Sequence, residues 1–169
     1  MKYKSQYKEI YNFKEFAGEK YDKAIANRFE LFTFGLEKNI IIQILSILDS
    51  TKKAYLDFAC GTGRFIDFIA RNFEFEEYVG LDTSVSMLEV ARNKTKDLEG
   101  VSFVEANLAE EPEAVQDEYF DVATCFRLIL NLEKENREVL LKALHKKIKK
   151  GGVLIINNHM NRYSILGLT

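Results

Sequence analysis

The stretch between residues 55 and 70 constrains the fold of this chain more than any other. It begins as an apolar, β-prone segment, passes through Gly61 and Gly63, and continues from Arg64 with the apolar spacing of a helix. Glycine tolerates positive φ and has no Cβ to obstruct a ligand, and the helix that follows points its free N–H groups at the turn. The segment therefore predicts a strand, a glycine turn and a helix that can receive a small polar ligand with a carboxylate or phosphate. An ordinary βα turn is the alternative, because a pair of glycines is a weak signal.

The composition is that of one globular domain. The chain has 169 residues, 47% hydrophobic and 30% charged. Its formal net charge of −2 argues neither for nor against nucleic acid, and because no broad basic patch is evident we expect no nucleic-acid partner. No apolar run is long enough to span a bilayer, and the N-terminus has no signal-peptide pattern. We therefore expect a cytoplasmic protein without a bound metal. Its two cysteines, Cys60 and Cys125, are expected to be small apolar filler rather than a disulfide.

Strand and helix patterns alternate along most of the chain. Strands are predicted at residues 54–59, 77–82, 101–106, 120–126 and 153–157, and helices at 36–49, 64–70, 84–94, 110–116 and 133–150. The last helix is expected to end at Gly151, and its final lysines are interpreted as a solvated helix end. Such alternation predicts parallel βαβ units with right-handed crossovers. The expected fold is α/β: a three-layer, Rossmann-like, doubly wound sheet, mostly parallel, with five strands and N-terminal helices.

The first 35 residues form a segment of their own in this prediction. Tyr3, Tyr7 and Tyr11 recur on one helical face, and a second helical pattern covers residues 20–32, with Gly35 separating it from the next helix. Two amphipathic helices packed on the core are one interpretation, and a lid whose aromatic side chains close over a ligand is the other. The predicted division is therefore a lid or cap at 1–35 and a ligand-binding α/β domain at 36–169.

Polar residues follow several of the predicted strands, at the edge where doubly wound folds bind ligands. Asp82 comes about 20 residues after the glycine turn, where a carboxylate can accept both hydroxyls of a ribose or simply cap the next helix. Asn107 can hydrogen-bond an adenine edge or form an Asx turn. Together they predict a nucleoside ligand. A dinucleotide fingerprint would have glycine where this chain has Ile66, which weakens the case for NAD.

Two motifs, taken together, resemble those of the class I S-adenosylmethionine-dependent methyltransferases. Residues 56–64, Leu-Asp-Phe-Ala-Cys-Gly-Thr-Gly-Arg, are similar to the first motif of that family, and residues 80–88, Gly-Leu-Asp-Thr-Ser-Val-Ser-Met-Leu, to the second. Residues 106–108 resemble the third motif, although the family more often has Asp where this chain has Asn107. Similarity continues in the regions of the fourth and fifth strands, so that the resemblance covers residues 50–158.

The resemblance implies S-adenosylmethionine as the cofactor and assigns residues to it. The glycine turn would admit the methionine moiety, and Asp57 would brace that turn and reach the amino group. Asp82 would hold the ribose hydroxyls, and the backbone at Phe126 would accept from the methionine ammonium. The implied cofactor-binding set is Asp57, Ala59, Gly61, Gly63, Asp82, Thr83, Met87, Asn107, Leu108 and Phe126.

The implied reaction is transfer of a methyl group to a small-molecule acceptor. Displacement at a sulfonium mostly requires that the reactants be positioned and desolvated, so a general base is needed only if the acceptor loses a proton. His159, just past the fifth strand, is the candidate base. One alternative is a non-catalytic subunit that binds the nucleoside or S-adenosylmethionine and needs a partner for chemistry. The other is an NAD-dependent oxidoreductase.

The resemblance also bears on the end of the chain. The sheet of this family carries two strands after the fifth, and we expect this chain to lack them, either as a truncated chain or as an abbreviated fold. The fifth strand would then be an exposed apolar edge, and such edges recruit other chains. We therefore predict self-association through residues 153–156, unless residues 158–169 fold back over them.

Overall fold

A computed structural model of the chain describes residues 18–24, 26, 28–48, 53–129 and 132–157. Within these residues, strands alternate with helices as the sequence predicts. The helices are α1 (Gly18–Ala24), α2 (Arg28–Ile47), α3 (Arg64–Asn72), α4 (Val85–Lys94) and α5 (Lys134–Lys147), with a 3₁₀ turn at Pro112–Ala114 in place of the predicted helix at 110–116. The strands are β1 (Ala54–Phe58), β2 (Glu77–Asp82), β3 (Val101–Glu105), β4 (Phe120–Cys125) and β5 (Ile148–Ile156).

The strands form one parallel sheet in the order β3-β2-β1-β4-β5. The chain starts in the middle of the sheet, moves outward to β3, and then returns to the other side of β1 as β4. The strand order therefore reverses between β1 and β4, which is where doubly wound folds bind ligands. The predicted Rossmann-like fold is confirmed. In this register Asp57 lies opposite Gly80 of β2 and Thr124 of β4.

Helices cover both faces of the sheet. On one face, Tyr55 packs with Ile41 of α2 and Ile69 of α3, and on the other Leu56 packs with Leu144 of α5. Every residue of β1 is buried, so its unbroken apolar pattern reflects a central strand. Both cysteines are buried and free. No helix in the described part of the chain is long and apolar enough to cross a membrane.

The structure corrects the helix boundary predicted at Gly35. Helix α2 runs through this residue without a break. Glycine costs only about 1 kcal/mol relative to alanine inside a helix, and the burial of Ile41 and Leu45 against the sheet outweighs that cost. The division into a lid at 1–35 and a domain at 36–169 stays a prediction. Tyr3, Tyr7 and Tyr11 lie outside the described residues.

The structure also corrects the end of the last helix. Helix α5 ends at Lys147, and β5 begins at the next residue, so Gly151 lies within the strand, at φ 84°. Lys147 is not solvated: it is 3% exposed, and its ammonium donates to the Val115 carbonyl at 2.8 Å and pairs with Asp117. The lysine run was therefore interpreted wrongly at this position, because the burial of Lys147 depends on a loop 30 residues away.

Candidate functional site

A cavity of about 320 Å³ opens at the carboxyl edge of the sheet, where the strand order reverses. Its volume is within the usual range for small-molecule sites. The glycine turn after β1, the ends of β2 and β4, and parts of α1 and α2 all contribute to its wall. Of the predicted cofactor-binding residues, those that line it are Asp57, Ala59, Gly61, Asp82, Thr83, Met87, Asn107 and Phe126.

The two glycines of the turn have different roles. Both have positive φ, 54° for Gly61 and 73° for Gly63. A Cβ on Gly61 would meet no atom within 4 Å, whereas a Cβ on Gly63 would lie 2.9 Å from the Cβ of Ala91 in α4. Gly61 therefore leaves space for a ligand. The predicted cofactor contact at Gly63 is not supported, because Gly63 does not line the cavity and its missing Cβ serves the packing of the turn on α4.

Asp82 joins the glycine turn to the start of α4. Its Oδ2 accepts the backbone N–H of Gly61 at 2.8 Å, and its Oδ1 accepts that of Ser84 at 2.9 Å. Burial raises the pKa of this carboxyl, and the backbone hydrogen bonds partly oppose that rise. The side chain thus lines the cavity and also organises the loop before α4. Each carboxylate oxygen can accept more than one hydrogen bond, so these contacts leave acceptor capacity for a ligand hydroxyl.

Asp57 places a buried carboxyl at the cavity wall. The residue is 2% exposed, and its Oδ1 accepts the Thr124 hydroxyl at 2.8 Å. Its Oδ2 is buried and meets no donor in good hydrogen-bond geometry among the described residues, although the backbone N–H of Ile66 lies close enough to the carboxyl to lower its pKa. Burial is the main cause that raises the pKa of Asp57 to about 7. A buried carboxylate oxygen without a partner is costly, and a cationic donor on a ligand would offset that cost.

The far side of the cavity holds the residues predicted to contact adenine. Thr83 and Met87 line this region. Asn107 lines it too, and its Oδ1 accepts the backbone N–H of Ala109 at 3.1 Å, which is the Asx turn that the sequence left open. Leu108 does not line the cavity: its side chain is 1% exposed and packs in the core below α5. A side-chain contact from Leu108 to a ligand is therefore not supported.

Aromatic side chains wall the other end. The rings of Phe126 and Phe65 stack with centroids 4.2 Å apart, and Phe34 of α2 meets Phe65 edge-on at 5.0 Å. The Arg64 guanidinium lies over the Phe34 ring, 4.1 Å from its centroid. Arg64 and Phe65 also line the cavity. Aromatic and guanidinium planes of this kind give the cavity rigid, water-excluding walls.

Arg127 is a cavity residue that the sequence interpretation missed. It lies two residues after the end of β4, with φ 62°, and its guanidinium pairs with Glu30 and with Glu37, the latter at 3.3 Å. Its backbone N–H donates to Asn157 Oδ1 at 2.7 Å, and the Asn157 amide donates to Glu37 Oε1 at 2.6 Å. This network ties α2 to the ends of β4 and β5. The position of Arg127 near the end of a strand, like that of Asn107, is the sequence signal that could have identified it as a cavity residue.

Helix α1 lies across the glycine turn. Asp22 accepts the Thr62 hydroxyl at 2.5 Å and pairs with Lys94 of α4 at 2.8 Å, and neighbouring Tyr21 lines the cavity. Residues 18–24 are therefore held against the glycine turn beside the cavity, and the lid interpretation stays a prediction. The candidate base His159 lies outside the described residues. Among the residues that are described, no group of three or more His, Cys, Asp or Glu side chains could hold a metal ion.

A family model described as a methyltransferase domain matches residues 56–154. A carboxy-S-adenosyl-L-methionine synthase of Campylobacter jejuni is 28% identical over 163 residues, which cover 92% of this chain and 64% of the relative. The enzyme of the same name from Helicobacter pylori is 30% identical over 139 residues, covering 80% of this chain and 54% of the relative. This chain thus spans less than two thirds of the length of these relatives.

Solved structures agree on the fold. The DhpI–SAH complex has a TM-score of 0.65 at 16% identity and covers 89% of this chain and 64% of that one. The CurJ carbon methyltransferase has a TM-score of 0.62, also at 16% identity, covering 72% of this chain and 33% of that one.

Proposed function

This chain belongs to the methyltransferase domain family, whose cofactor is S-adenosylmethionine, and we propose that it transfers the methyl group of that cofactor to a small-molecule acceptor. The observation that carries the proposal is the cavity wall itself. It holds two carboxylates in one cavity: Asp57, with a buried oxygen that no side chain of the described residues hydrogen-bonds, and Asp82. S-adenosylmethionine carries an ammonium and a ribose diol, which are the groups that two such acceptors bind.

The residues of the cavity fit the parts of this cofactor in order. Asp82 would accept the ribose hydroxyls, while Thr83 and Met87 would lie against the adenine. The open space at Gly61 would admit the methionine chain toward Asp57. When bound, the cofactor supplies a methyl group on a sulfonium, so that the leaving group is already activated. The chain itself would then bind, orient and desolvate the reactants.

The acceptor would enter at the aromatic end of the cavity. Phe126 and Tyr21 face this end together with Arg64 and Arg127. Rigid aromatic walls exclude water, which is the contribution that displacement at a sulfonium requires of the protein.

Calorimetry tests the cofactor assignment. S-adenosylmethionine and S-adenosylhomocysteine are expected to bind, and NAD is not. Asp82→Ala should weaken S-adenosylhomocysteine binding roughly tenfold or more, since hydrogen bonds to a charged group are among the stronger ones. Lys134→Ala, at an exposed position of α5, is the matched control. Equal affinity of Asp82→Ala and the control, with both folded by circular dichroism, would refute the placement of the cofactor.

Turnover separates an enzyme from the non-catalytic alternative. We expect release of S-adenosylhomocysteine when the protein is incubated with S-adenosylmethionine and a small-molecule extract of bacterial cells. Binding without release, under conditions where a known methyltransferase releases product, would favour a binding subunit that needs a partner. The oxidoreductase alternative has no support from the family match.

A second candidate reaction is carboxylation of the methyl group of S-adenosylmethionine, in which the methyl carbon loses a proton and bonds to CO₂ released by a carboxylic acid of the cell extract that decarboxylates. The names of the relatives that cover 92% of this chain favour it. So does Arg64, which stacks on Phe34 and makes no ion pair within the described part of the chain, so that it could receive a carboxylate. Mass spectrometry of the same incubation distinguishes the two reactions. Methyl transfer yields S-adenosylhomocysteine, whereas carboxylation yields a product heavier than S-adenosylmethionine by one CO₂.

A further inference from the structure

Three polar side chains form a hydrogen-bonded chain inside the apolar face of the sheet. The Tyr55 hydroxyl lies 2.7 Å from the Thr124 Oγ1, which lies 2.8 Å from Asp57 Oδ1. Tyr55 and Asp57 are two residues apart on β1 and therefore share a face, and Thr124 lies opposite Asp57 on β4. Tyr55 and Thr124 are fully buried.

The direction of these hydrogen bonds follows from the number of protons available. The Thr124 hydroxyl has one proton, and it donates that proton to the carboxylate of Asp57. The Tyr55 hydroxyl must then donate to the Thr124 oxygen. Both hydroxyls thus point toward one oxygen of Asp57, and chains of this kind strengthen each bond by polarisation. The other oxygen, Oδ2, has no side-chain partner among the described residues and no donor in good geometry, the backbone N–H of Ile66 being the nearby group that lowers the pKa of the carboxyl. The side chain of Asp57 lines the cavity.

An ordinary core would not need these groups. Phenylalanine and valine would fill nearly the same volumes as Tyr55 and Thr124 without burying a hydroxyl, and buried hydroxyls cost free energy unless they are paired. The only carboxylate that this chain of hydroxyls reaches within the described residues is Asp57. The two hydroxyls therefore act on Asp57, and through Asp57 on the cavity.

We propose that Tyr55 and Thr124 are positioning residues that fix the Asp57 carboxyl by one oxygen and present the other to the cationic N–H group of a ligand. This inference rests on the proposed function, in which the ligand is S-adenosylmethionine and the cationic group is its ammonium. It adds two residues, neither of which would touch the ligand, to the set that determines which ligands the cavity accepts.

The same arrangement makes binding depend on pH. Among the titratable groups around Asp57, Asp82 at the end of β2 adds to the rise of its pKa. The Asp57 carboxylate in turn adds to the rise that burial causes in the pKa values of Tyr55, Cys60 and Cys125. Burial raises the pKa of Asp57 to about 7, and the Thr124 hydrogen bond opposes that rise. Affinity for an ammonium ligand should therefore increase as the pH rises through this range. Loss of the Thr124 hydroxyl should move the midpoint to higher pH.

The test compares two ligands that differ only in the amino-acid part. S-adenosylhomocysteine carries the ammonium, and 5′-methylthioadenosine has the same nucleoside and thioether without it. Binding of both is measured by calorimetry from about pH 5.5 to about pH 8 for the wild type, Thr124→Val, Thr124→Ser and Tyr55→Phe. Thr124→Ser retains the hydroxyl and is the conservative control. Thermal melting confirms that each variant is folded.

We expect Thr124→Val to lose roughly three- to tenfold in affinity for S-adenosylhomocysteine near neutral pH, because the carboxylate loses one net hydrogen bond. The midpoint of its pH profile should move upward, Tyr55→Phe should show a smaller change of the same sign, and Thr124→Ser should resemble the wild type. Affinity for 5′-methylthioadenosine should stay the same in every variant.

Other results overturn the inference. Equal losses for both ligands would show that Thr124 only supports the fold of the site, and an unchanged affinity and pH profile would show that Asp57 is held without it. If the wild type binds neither ligand, the cofactor placement fails and this inference fails with it. If the wild type binds both and Thr124→Val leaves the difference between them intact, only this inference fails.

Discussion

The carboxyl of Asp57 couples the stability of the unliganded protein to pH. Its pKa rises from 3.8 to about 7 on folding, mainly because it is buried. The folded state therefore holds this proton more tightly than the unfolded state. The resulting stability is fully present below about pH 3.8 and is lost as the pH rises through about 7.

Asp57→Asn should remove this dependence. The amide can still accept the Thr124 hydrogen bond at its oxygen, and it does not ionise. Relative to the wild type, the free energy of unfolding of Asp57→Asn should increase between about pH 4 and about pH 8, by on the order of 4 kcal/mol. Denaturant unfolding across this range measures the difference. Parallel curves for the two proteins would contradict the assignment of a raised pKa to this carboxyl.

The two turn glycines allow a matched pair of substitutions. Both have positive φ, so alanine costs about 1–2 kcal/mol of backbone strain at either position. At Gly61 the new methyl group enters the cavity, so ligand affinity should fall while stability falls only by the strain. At Gly63 it collides with Ala91, so the loss of stability should be larger. Thermal melting and S-adenosylhomocysteine titration of both variants measure this, and equal melting temperatures would contradict it.

Site residues within sequence motifs could be predicted, whereas those placed by contacts between distant parts of the chain could not. Asp57 and Asp82 could be predicted because each lies next to a recognisable local pattern, a strand end or a glycine turn. Arg127 with Glu30 and Glu37 could not, because these partners are 97 and 90 residues apart in the chain. Tyr55 was predicted only as part of a buried strand, since its pairing with Thr124 depends on the register of two strands.

At the scale of the elements, helix α1 is held in place by contacts that would have to break if it moves away from the cavity. Asp22 joins it to Thr62 in the glycine turn and to Lys94 in α4. The ion pair is only partly exposed, with about a quarter to a third of each side chain accessible, so screening reduces but does not abolish it. If α1 covers the bound ligand, these contacts should slow ligand release.

Asp22→Ala should therefore raise the dissociation rate of S-adenosylhomocysteine several-fold, with a smaller effect on its association rate. Lys23→Ala, an exposed substitution on the same helix, is the control. Stopped-flow measurement of ligand release compares the two. A dissociation rate of Asp22→Ala equal to that of Lys23→Ala would show that α1 does not gate the cavity.

Strands were predicted more accurately than helix ends, for a physical reason. The strands of a covered parallel sheet are apolar over their whole length, and this pattern is local. The continuity of α2 through Gly35 depends on packing against the sheet, which outweighs the weak propensity of one glycine. The end of α5 depends on Lys147 finding acceptors in the loop around Val115, and nothing local in a lysine run indicates this.

At the scale of the whole molecule, the sheet has β5 at one edge among the described strands. Self-association through this strand stays a prediction, as does the cytoplasmic location. The structure shows which residue to substitute in a test of self-association. Ile155 is buried and supports the core, whereas Ile156 is partly exposed. Light scattering across a concentration series should show association in the wild type and less of it in Ile156→Lys. A monomer at high concentration, unchanged by this substitution, would contradict the prediction.

The fold class was predictable from the alternation of strands and helices, because each βαβ unit is a local pattern with a fixed handedness. The cavity as a whole was less predictable from the sequence than the fold class. Its nucleoside side comes from strand ends that follow recognisable motifs, whereas its other end is closed by Glu30 and Tyr21, from helices that lie far from it in sequence. Their placement follows from tertiary packing.

The Arg127 network has a consequence for the order in which the molecule forms. It connects residues that are 90, 97 and 120 positions apart, whereas β1 pairs with β2 at a separation of 23 residues (Tyr55 with Tyr78) and with β4 at 67 (Tyr55 with Val122). Long-range contacts pay their loop-closure entropy before they contribute any stability, so they tend to form last during folding. The acceptor end of the cavity should accordingly assemble after the sheet does. Its opening should require only local unfolding, while the nucleoside end stays native.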